Sequence, residues 1–300
     1  MKQSFNPANA DLQVWIDGQL LHRDQAKISV FDSLVQGGDG CWEGLRLYDG
    51  RIFKLEEHLE RLRHSALAMA FDQIPSRDEV LGAIRATLAA NGMRDGVHIR
   101  LTLSRGEKIT SGMDPRLNQR GPTLIVLAEH KPPVYDKAGL ALASSSLRRF
   151  PPDCLDPKIH HNNLLQSILA KAEANAAGAD DALMLDVRGF VAETNATHVF
   201  AVADGVVFTS RTVACPEGVT RATVLELCTA HAIPSEVRDI SQAELYRADE
   251  VFCTGTMGEL AGVTRIDGRV IGSGEVGDMT RRLTELYATR TASEGTRVVD

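Results

Sequence analysis

The sequence predicts an α+β protein of two domains. Three observations carry that prediction: Asp-Gly pairs flanked by apolar β-formers recur along the chain, amphipathic helical stretches alternate with them, and a proline-bearing stretch without periodicity interrupts the pattern near residue 130. The 300 residues are enough for two modest domains with a substantial buried core. Hydrophobic residues at 43% and charged residues at 24% are ordinary globular usage, which excludes a disordered or collagen-like chain.

In chain order, Asp17-Gly18 and Asp49-Gly50 read as tight hairpin turns, because both residues tolerate the left-handed backbone that such turns need. Gly37-Gly38-Asp39-Gly40 lacks the spacing of a phosphate loop or dinucleotide fingerprint, and reads as a turn ahead of a strand. Leu55, Leu59, Leu62, Ala66 and Met69 fall on one helical face, as do Val80, Ile84 and Leu88. Ser76 with Glu79 forms a capping box for the second helix, and Gly92 is placed to end it. Strands follow at about residues 98–104 and 123–128. The stretch 131–137, with Pro132 and Pro133, is expected to link a domain over 1–130 to one over 138–300.

The second half reads as a strand over 140–144, then an irregular stretch with Pro151, Pro152 and Pro157. A helix from about 162 to 177 is closed by Gly178. Hairpins follow through 183–185, 190–191 and 199–209, the last turning at Asp204-Gly205; Asp267-Gly268 marks another. Helices are expected near Thr220, at Ser241 with Glu244 as its capping partner, and over about 276–288, with a frayed tail at 293–300.

Charge and composition narrow the function. With 33 Lys+Arg against 40 Asp+Glu, the formal charge of −7 offers no basic face for nucleic acid. No apolar run approaches the roughly 20 residues of a membrane helix, and the first residues have no apolar core of the signal-peptide kind. A cytoplasmic protein acting on small molecules is expected. Cysteines 41, 154, 215, 228 and 253 are odd in number and unpaired in spacing, which suits a reducing compartment and neither disulfides nor zinc. His58 with Arg61 and the adjacent His160-His161 have no third ligand at metal spacing, so no metal is expected.

What remains is a small set of reactive groups. Lys158 follows a proline-broken stretch just before a helix; on composition alone it also reads as a solvated surface lysine. Glu193 ends an apolar hairpin segment, where a buried carboxylate would need a partner. Gly218-Val219-Thr220 opens a helix whose free N–H groups suit a phosphate, and Thr254-Gly255-Thr256 is a second hydroxyl-bearing turn. An amine, an isolated carboxylate, two such turns and an arginine suit pyridoxal phosphate.

The order of these segments resembles the fold-type IV pyridoxal-phosphate enzymes, the class IV aminotransferases, from about Val14 to Arg281. The most specific block runs from Lys158 through Gly178-Ala179-Asp180-Asp181-Ala182-Leu183 and Asp186…Gly189-Phe190-Val191…Glu193 to Phe200. The resemblance implies a smaller N-terminal α/β domain, a larger barrel-like C-terminal one, pyridoxal 5'-phosphate as cofactor, and a homodimer. It implies that Lys158 carries the cofactor and Glu193 faces its ring nitrogen. Arg61, Gly218, Val219, Thr220, Gly255 and Thr256 would hold the phosphate. Trp42-Glu43-Gly44-Leu45-Arg46 resembles the branched-chain type's strand, with Arg100 in place and His98 where that type has tyrosine, so Trp42, His98, Arg100 and Met257 are expected to meet substrate. Transfer from a branched-chain-like L-amino acid to a 2-oxo acid such as 2-oxoglutarate is the expected reaction. The alternatives are a D-amino-acid or amine transaminase, an aminodeoxychorismate lyase, and a non-catalytic cofactor-binding protein. Asn163, His198 and His160-His161 depart from the branched-chain pattern and imply a more polar pocket.

Overall fold

All four Asp-Gly pairs turn the chain through left-handed backbone at both residues, with φ of 44°, 39°, 50° and 51° at Asp17, Asp49, Asp204 and Asp267 and 75–86° at the glycines. These are the mirror-image turns whose twist matches that of paired strands. The computed structural model describes residues 4–135 and 138–300, and Asp136 and Lys137 of the expected linker lie outside them. Two units emerge. The N-terminal unit runs to Pro132 and also takes Ile159–Asn163 and Thr291–Asp300; the C-terminal unit holds Pro133–Lys158 and Leu164–Arg290 and is larger by only a few residues.

In the N-terminal unit, β1 (Gln13–Ile16) and β2 (Gln19–His22) form the first hairpin. A short helix, α1 (Ser33–Gly37), not expected from the sequence, precedes the glycine-rich turn that leads into the next strand. Asp32 caps its start and Gly38, at φ 67°, ends it. Next come β3 (Gly40–Tyr48), β4 (Arg51–Ile52), the helices α2 (Leu55–Ala68) and α3 (Arg77–Ala90), and β5 (Val97–Ser104) and β6 (Thr123–His130). The capping box of α3 is formed as expected, with Ser76 and Glu79 satisfying each other's backbone donors. β3 and β5 pair antiparallel along their whole length, from Gly40 opposite Ser104 to Leu47 opposite Val97. Alternation along these strands splits the residues between two faces. Cys41, Leu45, Leu47, Ile99, Leu101 and Leu103 join Leu55, Leu62, Ile84 and Leu88 of the helices in one buried core. The other face carries Trp42, Arg46, His98 and Arg100.

The C-terminal unit begins with β7 (Leu140–Arg148), α4 (Pro152–Leu155) and α5 (Leu165–Ala176), then β8 (Asp181–Leu185), β9 (Val191–Thr194), β10 (His198–Ala203) and β11 (Val206–Thr209). α5 starts later than the expected residue 162, because Asn162 instead donates its amide to Gly40 O of β3 at 2.8 Å, within the N-terminal unit to which Ile159–Asn163 belong. α6 (Val219–Ala230), β12 (Ser235–Val237), α7 (Gln242–Tyr246), β13 (Glu250–Gly255), β14 (Glu259–Ile266), β15 (Arg269–Val270) and α8 (Asp278–Ser293) complete it. The sheet order β12-β11-β10-β13-β14-β7-β8-β9 mixes antiparallel hairpins with parallel pairs at β7–β8, β7–β14 and β11–β12, and the sheet curls as a half-barrel. The chain is thus a two-unit α+β protein of the kind the sequence predicts.

The tail is not frayed. β16 (Thr296–Arg297) pairs with β4, and Val298 donates to Gly50 O at 2.9 Å. Its apolar residue Val298 is buried in the N-terminal core, which a terminus read by composition does not reveal. Among the described residues no helix is long and apolar enough to cross a membrane, and all five cysteines are free thiols.

Candidate active site

Within the C-terminal unit, Lys158 is held at its amide by Asp156 Oδ1, 3.0 Å away, and its Nζ lies 3.3 Å from Glu217 Oε1. Glu217 belongs to the turn that leads into α6. Both side chains are half exposed, so Lys158 pairs at the surface with the residue that precedes Gly218, Val219 and Thr220. Gly218 is the N-cap of α6 in extended backbone, and no side chain caps the helix. The first turn of α6 thus presents backbone donors and the positive end of the helix dipole.

Glu193 sits in β9, 3% exposed, with Arg149 Nη2 2.9 Å from its Oε1. Arg149 also donates to Ser167 Oγ at 3.1 Å and to Thr194 O at 2.9 Å. A carboxylate this buried needs such a cation. The sequence gives no signal for Arg149, which reaches Glu193 only through the parallel pairing of β7 with β8 and the antiparallel pairing of β8 with β9. Beyond β13, Gly255, Thr256 and Met257 form a turn closed by Gly258 N donating to Gly255 O at 3.2 Å; Met257 O accepts from Val134 N at 3.4 Å. Thr254, just before this turn, is buried and its Oγ1 has no hydrogen-bond partner.

Arg61, in the N-terminal unit, makes a two-pronged ion pair. Its Nε and Nη2 each donate to Glu43 at 2.7 Å. Glu43 is completely buried and also meets His58 Nδ1 at 2.7 Å and His160 Nδ1 at 3.4 Å. Burial, the largest single influence, would raise its carboxyl, but the Arg61 guanidinium and His160 together overcome that and hold it well below the usual carboxylate range. Burial and the same guanidinium push His160 down, so its ring is neutral at physiological pH. Because a carbonyl can only accept, His160 Nδ1 carries the hydrogen it donates to Trp42 O at 2.6 Å. His58 and Arg61 lie one helical turn apart, and nothing local in the sequence identifies Glu43 as their common partner.

On the other face of the same sheet, Trp42 stacks on His160 at 4.3 Å between ring centres, and Arg100 lies over the indole at 3.6 Å. Arg100 donates to Asn162 Oδ1 at 2.9 Å. His98 pairs with Arg46 across the strands and is 6% exposed, with its Nε2 unpartnered. Burial, aided by Lys131, Arg100 and Arg46, pushes its imidazole down to about 3, so it is neutral. Trp42 Nε1 is also buried without a partner. This face thus offers donors to an anionic or acceptor-rich group.

The C-terminal residues fit pyridoxal phosphate. They supply a primary amine, a buried carboxylate, an uncapped helix start and a buried hydroxyl without partner, all in one unit. Among the described residues no cluster of three His, Cys, Asp or Glu could hold a metal ion.

Residues 40–266 match the family described as amino-transferase class IV. The chain is 56% identical over 290 residues to branched-chain-amino-acid aminotransferase-like protein 2 of Arabidopsis thaliana, covering 96% of this chain and 52% of that protein. The chain thus spans about half the length of that relative. A putative branched-chain-amino-acid aminotransferase of Methanocaldococcus jannaschii is 37% identical and is covered over its whole length, with 96% of this chain. Among solved structures, the branched-chain aminotransferase of the thermophilic archaeon Thermoproteus uzoniensis with norvaline superposes with a TM-score of 0.89 at 30% identity, covering 96% of this chain and 100% of that one.

Proposed function

The chain belongs to the class IV aminotransferases, and on that premise we propose that it moves an amino group from an amino acid to a 2-oxo acid, using pyridoxal 5'-phosphate carried on Lys158. The observation that carries the reading is the ion pair of Lys158 with Glu217, the residue just before the uncapped start of α6, in the unit that also buries Glu193. When bound, the cofactor supplies an electron sink for the negative charge that develops at the substrate's α-carbon.

The chain's own residues do the rest. Lys158 Nζ binds the cofactor and, once displaced by the substrate amine, takes a proton from the α-carbon and returns it on the other side of the transfer. Glu193, fixed by Arg149, holds a proton at the ring nitrogen and so keeps the ring cationic. Gly218, Val219 and Thr220 offer backbone and hydroxyl donors to the phosphate, and Gly255 and Thr256 add theirs. Arg61 is assigned to the same phosphate by the family pattern, with Glu43 setting the plane of its guanidinium.

A branched-chain-like L-amino acid is the favoured donor, supported by the Trp42–Arg46 strand and the named relatives. A dicarboxylic acceptor such as 2-oxoglutarate is supported by Arg46, His98 and Arg100 on one sheet face. A homodimer is the proposed assembly. The test is a panel of L- and D-amino acids with 2-oxoglutarate and pyruvate as acceptors. Turnover of L-leucine, L-isoleucine and L-valine with 2-oxoglutarate is expected. Exclusive use of D-donors, or release of pyruvate from aminodeoxychorismate without amino transfer, would overturn the substrate reading.

A further inference from the structure

His198 opens β10 and is 7% exposed. Its Nε2 lies 2.8 Å from Pro216 O, and since a carbonyl only accepts, Nε2 is the donor. The same ring fills the space beside Gly218. A Cβ at that position would overlap the ring's Cε1 and would stand 2.6 Å from its Nδ1. The imidazole therefore fixes the turn into α6 in two ways, by a hydrogen bond to Pro216 and by packing that only a glycine at 218 permits. Across the sheet His198 pairs directly with Thr254, so the two side chains share one face, and Thr254 Oγ1 is the buried hydroxyl without a partner. The next pair along, Phe200 and Phe252, stacks at 5.0 Å between ring centres and holds that register. One histidine thus touches the turn before α6 and stands opposite the residue that leads into the turn at Gly255–Thr256.

We propose that His198 is a positioning residue for the phosphate site, holding the Pro216–Gly218 turn against the Thr254 turn so that backbone donors from both converge on one anion. The proposal rests on the cofactor reading above. It predicts that His198 governs affinity for the phosphate and not for the pyridine ring or the aldehyde.

The experiment compares binding of pyridoxal 5'-phosphate and of pyridoxal to the cofactor-free chain, by titration of protein fluorescence. Wild type is tested beside His198→Leu, which keeps bulk and loses the donor, and His198→Gln, whose amide places a donor where Nε2 stood. Wild type is expected to prefer the phosphorylated form strongly. His198→Leu should lose at least about tenfold of that preference, the scale of one hydrogen bond to a charged site, with pyridoxal binding unchanged, and His198→Gln should recover most of it. If wild type prefers the phosphate and His198→Leu keeps the full preference, or weakens both ligands equally, the assignment of His198 is overturned. If wild type itself shows no preference, the phosphate site fails first and the inference falls with it.

Discussion

Glu43 shows how one residue's environment decides its chemistry. Completely buried and gripped by Arg61, His58 and His160, it is held ionised against its burial by the Arg61 guanidinium first and His160 beside it. Glu43→Ala would strand that cation, and breaking a buried pair by removing one partner costs about 3–5 kcal/mol; a loss of that size should appear in chemical denaturation. Neighbouring His98 behaves in the opposite sense. Its folded-state imidazole is down at about 3, while the unfolded chain titrates at the ordinary 6.5. Above 6.5 both states are neutral and nothing is lost. As pH falls from 6.5 towards 3 the unfolded state takes up the proton first, so stability falls through that window. His98→Asn should flatten the dependence of Tm on pH there. Glu193→Gln keeps the shape of the carboxylate and loses its charge. Removing one electrostatic partner of the reacting centre typically lowers kcat by about a hundredfold, with cofactor still bound, and an unaltered rate would refute its role.

Elements were legible where local chemistry decides them. The four Asp-Gly turns and the two capping boxes, Ser76–Glu79 and Ser241–Glu244, are written in adjacent or near-adjacent residues and stand where expected. Ser76→Ala should destabilise the N-terminal unit by about 1 kcal/mol, read as a shift in the denaturation midpoint with unchanged slope. What the sequence hid depends on distant partners. α1 escapes a sequence reading because it is only five residues long and its cap, Asp32, draws on Thr123 and Ser104 from other strands. The delayed start of α5 and the paired tail follow from pairing with β3 and β4. The same divide runs through the site: Lys158 and the turn before α6 are motif-bound, whereas Arg149 beside Glu193 and the Glu43 network exist only once strands are aligned.

At the scale of the whole molecule, the two units each bury a separate core; Lys158, Glu193 and the turns at Gly218 and Gly255 belong to the C-terminal one and Arg61 to the N-terminal one. Family membership covers most of the chain, so the account stands or falls on a single bond at Lys158. The direct measurement is borohydride reduction of the purified, cofactor-loaded protein followed by peptide mapping, with Lys158→Ala beside it. The account predicts one tagged peptide, bearing a phosphopyridoxyl group on Lys158, and neither tag nor visible absorption band in the variant. A tag on another lysine, or a variant that still takes up the label and turns over substrate, would contradict it.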